Sequence, residues 1–90
     1  MPKINPTSWK IQVRVFEKFG CKYVRQKGDH LVFIHPEARR PVIIPKYKEI
    51  TATIIRTNMR TVGMSREDYF KILSELKFEN DGFLHPFSWG

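Results

Sequence analysis

The sequence has little of several features that would place it in a common class of protein. Its single cysteine, Cys21, cannot form an intramolecular disulfide, which argues against a disulfide-stabilised secreted domain. These 90 residues contain neither the apolar h-region typical of a secretory signal nor an apolar run long enough to span a bilayer. It also lacks a Gly-rich phosphate loop, a nucleophile elbow and any paired metal-ligand spacing. We therefore expect a cytoplasmic protein that needs no cofactor, metal or membrane.

Acidic residues are scarce relative to basic ones. The 90 residues include 16 Lys and Arg against 9 Asp and Glu, for a net charge of +7. Residues 1–60 carry 13 of these cations and four acidic residues, a balance of +9, whereas the last third has a balance of −2. Such a concentration of charge favours a polyanionic partner, because each neutralised phosphate releases condensed counterions. Nucleic acid is the first candidate, and charge that serves only solubility is the alternative.

The chain is nevertheless rich enough in apolar residues to fold. Hydrophobic residues make up 41% of it, and they include seven Phe, three Tyr and two Trp. This length and composition predict a single domain over residues 1–90, with a core at about 8–76 and a tail at 77–90. Cys21, next to Gly20, is interpreted as a small packing residue.

The stretch 7–20 predicts a first helix, although some of its apolar residues alternate as they would on a strand. Hydroxyl residues that can cap a helix stand at its start, and Gly20 follows it where a helix favours a left-handed residue. The apolar arc expected to cover a sheet consists of Trp9, Ile11, Val13, Val15, Phe16 and Phe19.

From Cys21 the pattern changes to a period of two, which predicts a β-hairpin around Gly28-Asp29. A third, short strand is predicted at 41–45 between two prolines, and the loop lengths make the sheet antiparallel. Strict alternation places Tyr23, Arg25 and Lys27 on one face of the first strand. In the second strand it separates Leu31, Phe33 and His35 from Val32 and Ile34.

Two more helices are predicted. The first runs from about Thr51 to Val62 and ends at Gly63, and the second begins at a capping box over residues 65–68. A turn is expected at 80–82, followed by an aromatic tail that packs back on the domain or against another chain. The apolar residues of these segments are Ile55, Met59 and Val62, then Tyr69, Ile72, Leu73 and Leu76, then Phe78, Phe83, Phe87 and Trp89.

Three strings in this order, VRQKGDH at 24–30, VIIPKY at 42–47 and VGMSREDYF at 62–70, resemble the HicA family of toxins from toxin-antitoxin pairs. The resemblance covers about residues 8–73, and its most specific element is 25–30. It implies a fold like the double-stranded-RNA-binding domain: α+β, in the order α-β-β-β-α, here with an extra C-terminal helix and aromatic tail. It also implies a ribonuclease that cleaves mRNA and blocks translation, neutralised by a HicB-type antitoxin.

The family's catalytic histidine matches His30. An imidazole titrates near neutrality and can act as acid or base, although a histidine in a hairpin is, on residue type alone, more often structural. Many family members have a second histidine where this chain has Tyr47. Lys27, Lys46 and Tyr47 are therefore candidates for charge stabilisation or a relay in a metal-independent reaction. Asp29 is interpreted as a turn residue, or as a group that fixes the His30 tautomer.

The candidate RNA contacts are cations from the three strands and their loops, expected to crowd one sheet edge near His30, and two arginines one helical turn apart that could extend this patch. A solvated surface is the alternative for each of them. These cations are Arg25, Lys27, Arg39, Arg40, Lys46 and Lys48, with Arg56 and Arg60 on the helix.

We keep open two further functions, a non-catalytic RNA-binding module and an interaction domain that acts through the aromatic tail.

Overall fold

The order of the elements agrees with the predicted α+β fold. A computed structural model describes residues 3–82, with side chains to residue 76. Three antiparallel strands form one sheet in which each strand pairs with its neighbour in sequence, with one helix before the sheet and two after it. This confirms the α-β-β-β-α arrangement of a double-stranded-RNA-binding domain with an extra C-terminal helix. The elements are α1 (Trp9–Lys18), β1 (Lys22–Lys27), β2 (His30–Ile34), β3 (Val42–Pro45), α2 (Ala52–Val62) and α3 (Arg66–Gly82).

The helices begin at side-chain caps. The Ser8 and Thr51 hydroxyls accept hydrogen bonds from backbone N–H groups in the first turns of α1 and α2. At α3 the capping box is reciprocal: the Asp68 N–H donates to Ser65 Oγ at 3.0 Å, and the Ser65 N–H donates to Asp68 Oδ2 at 3.3 Å. The aspartate is thus long enough to complete the box. Gly63 ends α2 with φ +73, a conformation that costs glycine little.

The core lies between the helices and the inner face of the sheet. Phe16 of α1, Ile55 of α2 and Tyr69 of α3 are each at most 1% exposed and belong to one hydrophobic cluster. The sheet contributes Phe33 and Ile44 to the same cluster. None of the helices in the described part of the chain is long and apolar enough to cross a membrane.

One position of the predicted α1 arc is wrong. Ile11 is 37% exposed, while its neighbour Gln12 is only 1% exposed. The Gln12 amide nitrogen donates to Thr7 Oγ1 at 2.8 Å and to the Tyr69 hydroxyl at 2.9 Å, so it joins α1 to α3 through the core. Burial raises the pKa of Tyr69, and the bond from Gln12 partly offsets that rise. These hydrogen bonds allow a polar residue to take the place expected for an apolar one.

The strict alternation predicted for β1 is also wrong. Tyr23 pairs with Phe33, but Arg25 pairs with Val32, so Val24 is an extra residue, a β-bulge. Because paired residues share a face, the bulge puts Tyr23 on the inner side of the sheet and Arg25 on the outer side. Alternation from the sequence had placed these two side chains together.

The turn predicted at 80–82 is wrong as well, since α3 continues to Gly82. The aromatic tail residues Phe83, Phe87 and Trp89 lie outside the described residues, as does the side chain of Phe78. The expectations about their packing, and about the domain boundaries, stay predictions.

Cys21 is packed in the core as predicted, at 4% exposure. Burial, with a smaller contribution from Glu17, raises the pKa of its thiol to about 11 from 9.0. The raised pKa favours the protonated thiol in the folded state. Its contribution to stability is therefore present below about pH 9 and is lost as the pH rises through about 11.

We expect the native thiol to react slowly with Ellman's reagent, because only the thiolate attacks the disulfide. At pH 8 the two pKa values, 9.0 unfolded and about 11 folded, make reaction in urea about a hundredfold faster than in buffer. Circular dichroism checks that the protein is folded in buffer. Equal reaction rates in urea and in buffer would then contradict the burial of Cys21.

Candidate nucleic-acid interface

His30 is the first residue of β2 and directly follows a two-residue turn. Gly28 has φ +60, and every residue with a positive φ in the described chain is a glycine, so Asp29 has a negative φ. A positive φ at the first turn residue and a negative φ at the second fit a type II′ hairpin turn. The turn makes Lys27 the cross-strand partner of His30. The His30 side chain is exposed.

The outer face of the sheet carries cations beside His30. Arg25 pairs with Val32, and Lys27 pairs with His30, so all four side chains share this face. The opposite face packs on α1, where Val13 and Trp9 meet the inner residues of the strands. The two-residue turn, which pairs Lys27 with His30, and the alternation from Lys27 to Arg25 bring both β1 cations to the side of the histidine, while the Val24 bulge turns Tyr23 to the opposite face.

Tyr47 lies against His30. Their ring centroids are 6.3 Å apart, with an edge-to-face angle of 73°. Backbone hydrogen bonds fix both residues: the Lys46 N–H donates to the Asp29 carbonyl at 2.8 Å, and the Trp9 N–H donates to the Tyr47 carbonyl at 3.2 Å. The hairpin turn is thereby tied to the segment that follows β3, and the two rings are held at the same end of the sheet.

Lys46 points to the other side of the sheet. Its Nζ lies 5.1 Å from the centroid of the Trp9 ring, a cation–π distance, and it lines a depression there with Tyr23 and Gln26. Side chains alternate along an extended chain, so Pro45 and Tyr47 face the His30 side and Lys46 does not. The structure therefore does not bring Lys46 to His30.

A groove of about 430 Å³ lies between β3 and α2. His30 and Tyr47 line it together with Arg40, which precedes β3. Its two walls are held by the Asn58 amide, whose Nδ2 donates to the carbonyl of Ile43 at 2.9 Å. β3 is an edge strand, so one of its edges has no strand partner. The Asn58 bond satisfies a carbonyl on β3, and α2 covers this free edge.

Sequence reasoning missed the α2 wall of this groove. Asn58 is 7% exposed, and three threonines, at positions 53, 57 and 61, line the groove beside it. A signal was present, since a spacing of four residues places these threonines on one helical stripe, beside the apolar stripe of Ile55 and Met59. Only the packing of α2 against β3 shows that the polar stripe faces a groove.

The other predicted cations are distributed over several surfaces. Arg56 and Arg60 line a separate depression with Ile4 and Met64 and do not line the groove. Arg39 and Lys48 are exposed and do not line it either. Of the eight predicted RNA contacts, Arg25 and Lys27 share a sheet face with His30 and Arg40 shares the groove with it.

His35 and Asp29 differ from His30 in their surroundings. The His35 ring lies 5.5 Å from the Phe19 ring, and its Nδ1 accepts a hydrogen bond from the Glu37 N–H at 3.1 Å, which is a packing environment near the end of α1. Asp29 lies in the turn, and its carboxylate makes no hydrogen bond to His30 within residues 3–76. In that part of the chain, no cluster of three His, Cys, Asp or Glu side chains is placed to hold a metal ion.

Comparison with known proteins assigns the chain to a family. A family model described as the HicA toxin of bacterial toxin-antitoxin systems matches residues 9–64, which run from the first residue of α1 past the end of α2 and include His30. No curated protein matches the chain significantly. Because the family match covers more than half of the 90 residues, the chain belongs to the HicA family of bacterial toxins that act within toxin-antitoxin systems.

Proposed function

We propose that this toxin is a metal-independent endoribonuclease that cleaves mRNA and so blocks translation, and that a HicB-type antitoxin neutralises it. One observation carries the proposal: the exposed imidazole of His30 lies where the cationic outer face of the sheet meets the groove between β3 and α2. An accessible imidazole beside fixed cations is suited to proton transfer at a phosphodiester.

In the proposed reaction, neutral His30 accepts the proton of a ribose 2′-hydroxyl, and the 2′-oxygen attacks the adjacent phosphorus. The bond from phosphorus to the 5′-oxygen breaks, which leaves a 2′,3′-cyclic phosphate on one product. The imidazolium returns its proton to the departing 5′-oxygen, so the enzyme regains its starting state. Lys27, directly across from His30, stabilises negative charge on the phosphorane, and Arg25 holds a neighbouring phosphate.

Replacing His30 with Ala should reduce RNA cleavage by roughly a hundredfold or more, the size of a general acid–base contribution. His35→Gln is the matched control, because His35 is on the opposite side of the sheet and packs on Phe19. Cleavage is measured on a labelled RNA in divalent-free buffer, toxicity by induced expression, and folding by circular dichroism. Retention of cleavage and toxicity by a folded His30→Ala protein would refute the catalytic role.

Removal of a cation from the outer face should weaken RNA binding and its salt dependence. In a His30→Ala background, Arg25→Ala should lower the slope of log affinity against log salt by about one phosphate contact. Arg56→Ala removes the same charge from a separate depression and is the control. Fluorescence anisotropy at several salt concentrations gives both slopes, and equal slopes for the two variants would argue against an interface on the outer face.

Tyr47 favours a second candidate function, a non-catalytic RNA-binding module. A tyrosine stands where many family members have another histidine, so proton transfer has one imidazole fewer. Tight, salt-sensitive binding of RNA without cleavage by the parent protein in divalent-free buffer would select this function over the nuclease.

Family membership implies an antitoxin partner, and the proposed HicB-type partner acts by covering the outer face. Besides Arg25 and Lys27, this face carries Ile34, which is 51% exposed and pairs with Lys22. Co-expression with a HicB-like protein from a neighbouring gene should restore growth, and Ile34→Asp should reduce complex formation in a pull-down. The control Arg56→Ala should bind normally. If the HicB-like protein fails to restore the growth of cells that express the wild-type toxin, this partner is rejected.

A further inference from the structure

We propose that the groove between β3 and α2 receives one unpaired base of the RNA, next to the phosphodiester at His30, so that the toxin selects single-stranded RNA. This inference rests on the proposed ribonuclease function and assigns a subsite to it. The groove volume of about 430 Å³ lies within the range of roughly 300 to 1,000 Å³ that holds small molecules, and a base is a ligand of that kind.

The walls of the groove suit a flat aromatic ligand. On the strand side they are formed by Ile43 and Pro45, and on the helix side Ile54 is partly buried. Tyr47, at the His30 end, is 47% exposed, so part of its ring is open to stacking. Bases of single-stranded RNA stack on aromatic side chains in this way, and the apolar walls favour the faces of a base over its solvated edges.

Polar groups on α2 can meet the edge of such a base. Thr53 and Thr57 are exposed in the groove, and their hydroxyls have no protein partner within the described side chains. Thr61 differs, because its hydroxyl donates to the Thr57 carbonyl at 3.0 Å. A hydroxyl can donate or accept, so Thr53 and Thr57 can hydrogen-bond to the edge of any base.

Charge complementarity points to a nucleotide strand as the occupant. His30 and Arg40 lie at opposite ends of the four-residue strand β3, a separation of about 13 Å or more at 3.3 Å per residue. No acidic side chain of the described chain lines the groove. Arg40 can therefore hold a phosphate on the far side of the base from the phosphate at His30.

A base-paired helix does not fit this arrangement. In duplex RNA the faces of the bases are stacked on one another, and only a base that has left the stack can enter a groove lined by side chains. The arginines that could contact a duplex backbone from α2, Arg56 and Arg60, line a different depression. The fold of a duplex-binding domain here carries a groove for an unpaired strand.

The test measures binding in the His30→Ala background, so that RNA stays intact, with a short single-stranded oligonucleotide and its duplex as probes in anisotropy. Thr57→Trp fills the groove, and Tyr47→Ala removes the stacking ring. Ser74→Trp, at an exposed position of α3 outside the groove, is the matched control. Circular dichroism checks the fold of each protein.

We expect the single strand to bind at least tenfold more tightly than the duplex. Thr57→Trp and Tyr47→Ala should each lower single-strand affinity roughly tenfold, the scale of one lost stacking contact, and Ser74→Trp should leave it unchanged. The salt slope should be unaltered in all three, because the phosphate contacts remain.

Three outcomes would overturn the inference. If both groove variants bind like the parent while Arg25→Ala still weakens binding, the RNA interface stands and the base subsite fails alone. If the groove variants lose antitoxin binding and keep RNA affinity, the groove takes a protein segment. If no protein of the set binds RNA and the wild-type protein does not cleave it, the proposed function fails first and the base subsite fails with it.

Discussion

One backbone hydrogen bond fixes the geometry on which the site depends, the bond from the Lys46 N–H to the Asp29 carbonyl at 2.8 Å. It ties the hairpin turn before β2 to the segment after β3, two parts of the chain that only the sheet brings together. His30 follows the turn and Tyr47 follows the donor, so the bond fixes the backbone positions from which the two rings, 6.3 Å apart, extend. Because it joins backbone groups, side-chain substitutions at His30 or Tyr47 leave it in place, and their effects report on chemistry or binding.

Near this bond, successive side chains of the extended chain point to opposite sides, so the candidate site residues lie on two surfaces. Pro45 and Tyr47 face the groove, whereas Lys46 between them turns to the Trp9 ring. In β1 the same rule puts Arg25 and Lys27 on the face of His30, because the two-residue turn pairs Lys27 with His30. The extra residue at Val24 shifts the register by one beyond Arg25, so Tyr23 turns to the inner face. The turn register thus sets the basic face beside His30, and the bulge removes Tyr23 from that face.

Local signals in the sequence were sufficient for the order of the elements and for several of their ends, although not for the C-terminal end of α3. The Ser65 to Asp68 capping box, the glycine after α2 and the two-residue hairpin turn depend on neighbours within a few positions, and all three are present. The bulge, the burial of Gln12 and the orientation of Lys46 depend on contacts between distant segments, so alternation or periodicity alone could not give them. The groove is the extreme case, since one wall comes from β3 and the other from α2. His30 became a candidate through a family motif, whereas the threonine stripe that lines the same groove was not singled out from the sequence.

In the proposed mechanism, Tyr47 stands where the family resemblance implies a second histidine, and this changes what the rest of the site has to supply. A single imidazole must serve as base and then as acid, so a second acid–base group, typically worth 10²–10⁴ in rate, is not available from a paired histidine. Positioning can compensate, because holding the 2′-oxygen in line with the phosphorus lowers the barrier without any further proton transfer. A base fixed against Tyr47, with its 3′ phosphate between His30 and Lys27, would restrict the ribose in that way. The aromatic ring would then contribute to the reaction through the geometry of the strand, and the same groove that aligns the substrate would exclude a duplex.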